Sequence, residues 1–137
     1  MLAPYFHAFF FGKLPYFTGT GALLNLDSLS NISLTAPATG VMAGMLFWED
    51  ASVASGGTHQ IISNNARTLL GTIYLPVNTL HVAANAPVAD QSAYTVVVAN
   101  QFSLSEGPTL VLNTNYGATN IPVPNGVGPG GTSMLIK

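Results

Sequence analysis

From Leu26 onward, apolar and polar residues alternate in short runs. In Leu26-Asp27-Ser28-Leu29-Ser30-Asn31-Ile32-Ser33-Leu34 the period is two, with one apolar face and one polar face, as a half-buried strand requires. Pro37 and Gly40 punctuate the chain, and the stretch 41–48 is then almost continuously apolar, which predicts a strand covered on both faces. The polar stretch 49–59 carries Gly56-Gly57 and predicts a loop. The strand pattern then returns three times. Gln60-Ile61-Ile62-Ser63, a turn at Asn64-Asn65 and the run 68–75 make one unit, closed by Pro76. Thr79-Leu80-His81-Val82, the Asn85-Ala86-Pro87 turn and the run 94–99 make the next. Asn100-Gln101-Phe102-Ser103-Leu104, the Glu106-Gly107-Pro108 turn and the run 109–113 make a third.

Aligned on Ile32-Ser33-Leu34, Ile61-Ile62-Ser63, Leu80-His81-Val82 and Phe102-Ser103-Leu104, these units start 29, 19 and 22 residues apart. A unit recurring at that spacing buries its apolar face only by stacking on its neighbours. The loops between runs are long, and no two-residue Asn-Gly hairpin turn joins the main strands, so parallel pairing is expected. The pattern predicts an all-β fold, a short right-handed parallel β-helix (solenoid) of three to four coils over 20–116. An antiparallel β-sandwich built from the same strands is the alternative. Leu80, Val82, Val96, Val98, Phe102, Leu104, Leu110 and Leu112 are expected to be buried. Asn64 or Asn65, Asn85, Asn100 and Asn113 fall at turns, where Asn tolerates left-handed backbone and can stack on an equivalent in the next coil.

The ends differ from this body. Residues 1–19 contain Tyr5-Phe6-His7-Ala8-Phe9-Phe10-Phe11, but Pro4, His7, Lys13 and Pro15 leave no apolar run long enough for a membrane helix. No basic region or cleavage site marks a signal peptide either. The segment is expected to be an atypical leader or a packing cap. Residues 117–137 are rich in Pro and Gly and predict an extended, wandering segment, with Met134-Leu135-Ile136 returning as a last short strand over an exposed edge.

Composition narrows the function classes. A chain of 137 residues suits one domain, and only eight residues are charged: Lys13, Arg67, Lys137, Asp27, Glu49, Asp50, Asp90 and Glu106, for a net charge of −2. Such a surface does not bind nucleic acid. Ser, Thr, Asn and Gly supply the polarity, which favours strands and turns over helices. Without cysteine there is no disulfide, thiol catalysis or thiolate metal site.

Candidate chemistry is sparse. Glu49-Asp50 is the only adjacent carboxylate pair, and neighbours on a strand point to opposite faces, unlike the facing carboxyls of a glycosidase. Both are expected at a solvated strand end, with Asp50 holding the loop or pairing with Arg67. His59 and His81 lack metal-ligand spacing, and His81 is expected to point outward between Leu80 and Val82. No Gly-x-Ser-x-Gly elbow activates a serine, and the Gly-rich tail has neither a phosphate loop nor a dinucleotide fingerprint, so nucleotide binding is not expected. No catalytic, cofactor-binding or metal-binding residue is assigned. A carbohydrate-binding or carbohydrate-active β-helix, adhesin or polysaccharide lyase-like, would have Trp48, Glu49, Asp50, Arg67 and Tyr74 as its contacts.

Five blocks, in this order, carry a family resemblance: Leu34-Thr35-Ala36-Pro37, Met42-Ala43-Gly44-Met45-Leu46-Phe47-Trp48-Glu49-Asp50, Asn64-Asn65-Ala66-Arg67, Leu70-Gly71-Thr72-Ile73-Tyr74-Leu75-Pro76 and Asn113-Thr114-Asn115-Tyr116-Gly117-Ala118-Thr119. Over about residues 20–137 the chain resembles the C-terminal β-rich region of TadG-like (TadE/TadG-like) proteins of the tight-adherence (Tad/Flp) pilus systems of proteobacteria. The stretch from Gly44 to Asp50 looks like the family's Ala-Gly-aliphatic-aliphatic-Phe-x-x-Asp block, and that from Gly71 to Pro76 like its Gly-x-Ile-Tyr-x-Pro block. Ala51 stands where many relatives have Arg. The resemblance implies a non-enzymatic, extracytoplasmic accessory of pilus assembly, in the periplasm or at the cell surface, with other pilus or envelope proteins as partners. Relatives usually begin with a transmembrane helix and a larger extracytoplasmic portion, so a truncated copy is the expectation, attached to a membrane only through a segment missing here.

Overall fold

The computed structural model describes residues 15–107 and 109–128, so most of the leader and the expected strand Met134-Leu135-Ile136 lie outside the described residues. Seven strands follow in chain order: β1 Tyr16–Phe17, β2 Asn25–Leu26, β3 Asn31–Thr35, β4 Met45–Glu49, β5 Thr58–Ile61, β6 Asn65–Val82 and β7 Thr95–Leu104. A single 3-10 turn, Tyr116–Ala118, is the one helical element among the described residues. The fold is all-β, and every ladder between named strands is parallel. One isolated antiparallel bridge joins Tyr94 to Thr114.

The sheet curls around β6. Along one edge of β6 lie β3, β4 and β5 in turn, with Leu34 beside Leu69, Trp48 beside Tyr74 and Ile61 beside Val82. Along its other edge runs β7, with Ile73 beside Val97 and Leu80 beside Phe102. The two-residue strands β1 and β2 extend the sheet beyond β4 and β5. Bridges from Ala66 to Val88 and from Val88 to Leu110 carry the parallel pairing onward. Inward residues of successive strands meet in one core, including Leu26, Phe47, Leu69, Ile73, Leu75, Leu80, Val82 and Tyr94. At about 1.5–3 kcal/mol for each large apolar side chain, this core is the main source of stability.

Two glycines are fixed by close approach. Gly71 has φ +137°, and a Cβ there would lie 2.6 Å from that of Ala36, where β3 ends against β6. Gly44 has φ +81°, and its Cβ would fall 2.0 Å from the Pro122 carbonyl oxygen. The Pro-containing tail therefore crosses directly over the start of β4. Ile121 is buried there, and the Tyr94 hydroxyl donates to the Pro122 carbonyl at 2.6 Å.

Several expectations are corrected. The runs 68–75 and 79–82 form one strand, because β6 passes through Pro76 without stopping. The ladder breaks only locally, between Leu75 and Thr79. Pro76 has no N–H to donate, and the N–H groups of Val77 and Asn78 turn to the Glu49 carboxylate instead. The alignment of Ile32 with Ile61 is also out of phase. Residues 31–35 pair with 65–70, while Ile61 pairs with Val82. Ile61 instead has Leu26 as its partner on the other side, because a period of two does not itself distinguish one register from another two residues away.

Burial follows the expectation through β6 and fails beyond it. Leu80 and Val82 are fully buried; Val96, Val98 and Leu110 are half-buried. Phe102, Leu104 and Leu112 are 47%, 52% and 47% exposed, because no described strand covers that end of the sheet. The asparagine expectation holds only in part: Asn64 Oδ1 accepts from the Asn85 N–H at 2.8 Å and the Asn65 side chain donates to Asn31 Oδ1 at 2.7 Å, but Asn100 lies within β7 instead of at a turn, and among the described residues no asparagine has a left-handed φ. Asn113 instead donates to the carbonyls of Asp90 and Ser92.

Candidate functional site

The densest group of polar side chains sits inside the curl, at one end of β4, β5 and the bend of β6. Along β4, Phe47 points inward, and the period of two brings Glu49 to the same face. On β5 the same alternation puts His59 inward beside Ile61. Glu49 and His59 are both fully buried, and Asn78 is nearly so. This corrects the expectation of a solvated strand end and a 49–59 loop.

Each polar atom of this group has a partner. Glu49 Oε1 accepts from the N–H groups of Val77 at 2.8 Å and Asn78 at 3.0 Å. Its Oε2 accepts from Asn78 Nδ2 at 2.8 Å and from His59 Nε2 at 2.5 Å. His59 Nδ1 accepts from the Leu24 N–H at 2.9 Å, so the ring hydrogen sits on Nε2. Asn78 Oδ1 accepts from the Gly57 N–H, while Nδ2 also reaches the Ala54 carbonyl. Phe17 packs its ring 5.3 Å from that of His59. Burial alone pushes the Glu49 carboxyl up, but the hydrogen bonds from His59, Asn78 and Val77 outweigh it and hold Glu49 below its ordinary value. The group clamps the approach to β2, the loop 50–57 and the bend of β6 to one another. The Glu49 carboxylate is thus surrounded by four donors and sealed from solvent.

The other candidates lie apart from it. Asp50, one residue on, faces outward; its Oδ1 accepts from the Ser52 N–H at 2.8 Å, and its carboxylate accepts from the Tyr16 hydroxyl. The Ser52 bonds, followed by the Tyr16 bond, lower its pKa to about 2, and the same contact raises Tyr16. Asp50 therefore holds the loop, as expected, but does not pair with Arg67. Arg67 makes a two-pronged pair with Asp90, which raises the guanidinium and lowers the carboxyl. Lying at the surface, that pair adds little to stability. His81 Nε2 lies 2.7 Å from Ser105 Oγ, on the outward side between Leu80 and Val82.

Of the contacts expected for a carbohydrate surface, Trp48, Tyr74 and Asp50 come together, whereas Glu49 and Arg67 do not join them. Tyr16, Trp48 and Tyr74 are register partners across β1, β4 and β6, forming an outward aromatic row. The Trp48 and Tyr74 rings stack on each other, centroids 4.7 Å apart and tilted by 37°. Among the described residues no three His, Cys, Asp or Glu side chains are grouped to hold a metal ion, and no helix is long and apolar enough to cross a membrane. Compared with known proteins, the chain matches no family model, no curated protein and no solved structure.

Sequence reasoning missed the Glu49–His59–Asn78 group because polar residues beside a Gly-Gly loop read as loop. The signal that finds it is the alternation itself, counted one step beyond Phe47 and one step back from Ile61.

Proposed function

We propose that this chain is a non-enzymatic, extracytoplasmic domain of the Tad/Flp pilus assembly apparatus, TadG-like, working as a docking or display surface. Its partners in this reading are other pilus or envelope proteins, met in the periplasm or at the cell surface. The observation that carries the reading is how its few ionisable side chains are used. Glu49 and His59 lock the interior, Asp50 holds a loop, Arg67 and Asp90 pair on the outside, and His81 bonds Ser105. These are separate places, each serving the framework. The blocks that carry the resemblance to TadG-like proteins fall at packing junctions: Gly44 under the tail, Asn65 in the asparagine stack, and Gly71 against β3.

The architecture in this reading is a short right-handed parallel β-helix. Its support is the succession of register partners such as His59, Leu80 and Phe102, or Ala66, Val88 and Leu110, each a further layer in the same direction. A glycan-binding or glycan-cleaving role has less support. Trp48 and Tyr74 turn their rings toward each other, leaving little aromatic face for a sugar ring.

A clean deletion of the gene in the organism that carries it tests the reading. Loss of surface Flp-type pili, restored by the intact gene, is the expected result; unchanged piliation overturns it. Pilus ATPase and prepilin genes beside this one are the corresponding genomic expectation.

A further inference from the structure

We propose that the outer edge of β7 at residues 100–104 is a self-association surface, on which the same strand of a second copy of this chain adds in antiparallel orientation. The first observation is a core that stops short. Leu80 and Val82 are fully buried, yet their register partners Phe102 and Leu104, on the same face of the sheet, are about half-exposed. The second is an edge that no described segment pairs. Among the described residues, the chain that follows β7 hydrogen-bonds this strand only around its start, through Thr95 N–H to the Asn113 carbonyl and Asn115 N–H to the Ala93 carbonyl. Among the described residues, no backbone hydrogen bond reaches the outer edge of 96–104.

Natural edge strands are usually blunted by charge, proline or a covering segment. The stretch 95–104 has neither a charged residue nor a proline. A second copy fits this edge because the sequence is compatible with itself. A two-fold axis at Ser103 sets Phe102 opposite Leu104 of the second copy and Leu104 opposite its Phe102, two apolar cross-strand pairs on one face. Gln101 and Ser103 occupy the other face, and no like charges meet. An antiparallel strand is a common addition to the edge of a parallel sheet. The paired segment is short, so the interface falls below the ~1,200 Å² of a stable complex and the dimer is weak and concentration-dependent.

This inference stands apart from the pilus reading, which a monomer would leave untouched. Sedimentation velocity on the full chain from about 10 μM to about 1 mM tests it, a range that spans weak association. The expected result is a mass rising from 14.2 kDa toward twice that value. Phe102→Lys alone and Leu104→Glu alone are each expected to stay monomeric, with the Trp48 emission of the folded protein retained because both positions are exposed. Mixed one to one, the two variants are expected to recover the dimer, since position 102 of one then faces position 104 of the other with opposite charge. Wild-type protein that keeps the mass of a single chain throughout overturns the proposal, as does a dimer that both substitutions leave intact.

Discussion

Replacing Glu49 by Gln keeps the shape of the buried side chain and removes its charge. The amide oxygen can still accept from the Val77 and Asn78 N–H groups, but the amide nitrogen then faces two donors, Asn78 Nδ2 and His59 Nε2. Neither neighbour can turn to help. His59 is fixed by Leu24 N–H at Nδ1, and Asn78 by Gly57 N–H at its oxygen and the Ala54 carbonyl at its nitrogen. Each lost charge-assisted bond that leaves a buried donor unmatched costs about 1.5–3 kcal/mol, so with two such bonds lost Glu49→Gln is expected to cost about 3–6 kcal/mol. That is a large part of the ~5–15 kcal/mol that holds a typical domain folded. Urea unfolding at pH 7, followed by Trp48, the only tryptophan, measures it. The acid side gives an independent reading. Because the Glu49 carboxyl is held below its ordinary value in the folded protein, its contribution is full above the unfolded pKa of about 4.3 and drains as pH falls through the folded value. The stability difference between wild type and variant should therefore shrink as pH falls from about 5 toward 3. A loss below about 1 kcal/mol at pH 7, or a difference unchanged at low pH, refutes the buried clamp.

Two further outcomes follow from the packing. Gly44→Ala introduces a Cβ into the Pro122 carbonyl at a positive φ, and is expected to lower stability by about 2–4 kcal/mol and to speed proteolysis within 119–128, read by thermal melting and limited digestion. Leu80→Ala is expected to cost about 2–5 kcal/mol and Phe102→Ala under about 1 kcal/mol in the same urea assay, although the two are register partners; equal losses would contradict the exposed end of the sheet.

Much of the framework was legible in the residues. Alternation over 26–34 located β3 but ran it into β2 across the turn at 27–30, the 41–48 run located β4 although 41–44 form a turn, and the β-branched Val96-Val97-Val98 located β7. The long, hairpin-free connections pointed to the parallel pairing that the strands make. What stayed hidden was register and position in the stack. Ile32-Ser33-Leu34 and Ile61-Ile62-Ser63 look alike, yet one lies beside the start of β6 and the other beside its end, because loop lengths set phase and alternation is blind to them. Leu80 and Phe102 likewise carry the same local pattern, and only the number of strands beyond each decides which is buried. At the candidate site, the roles of Glu49 and His59 were obscured by polarity. Burying a carboxylate becomes tolerable only once four donors converge on it, and those donors come from β5 and from a bend in β6 that Pro76 alone hints at.

The central place of β6 also governs how the chain is made. Strands β3, β4 and β5 each find a ladder partner in residues 65–82, which lie after them in the sequence. During synthesis the apolar stretches before residue 65 emerge while the strand they are to pair with has not been translated. Until β6 arrives, only the two-residue ladders β1–β4 and β2–β5 can form, so the sheet is completed from its C-terminal side.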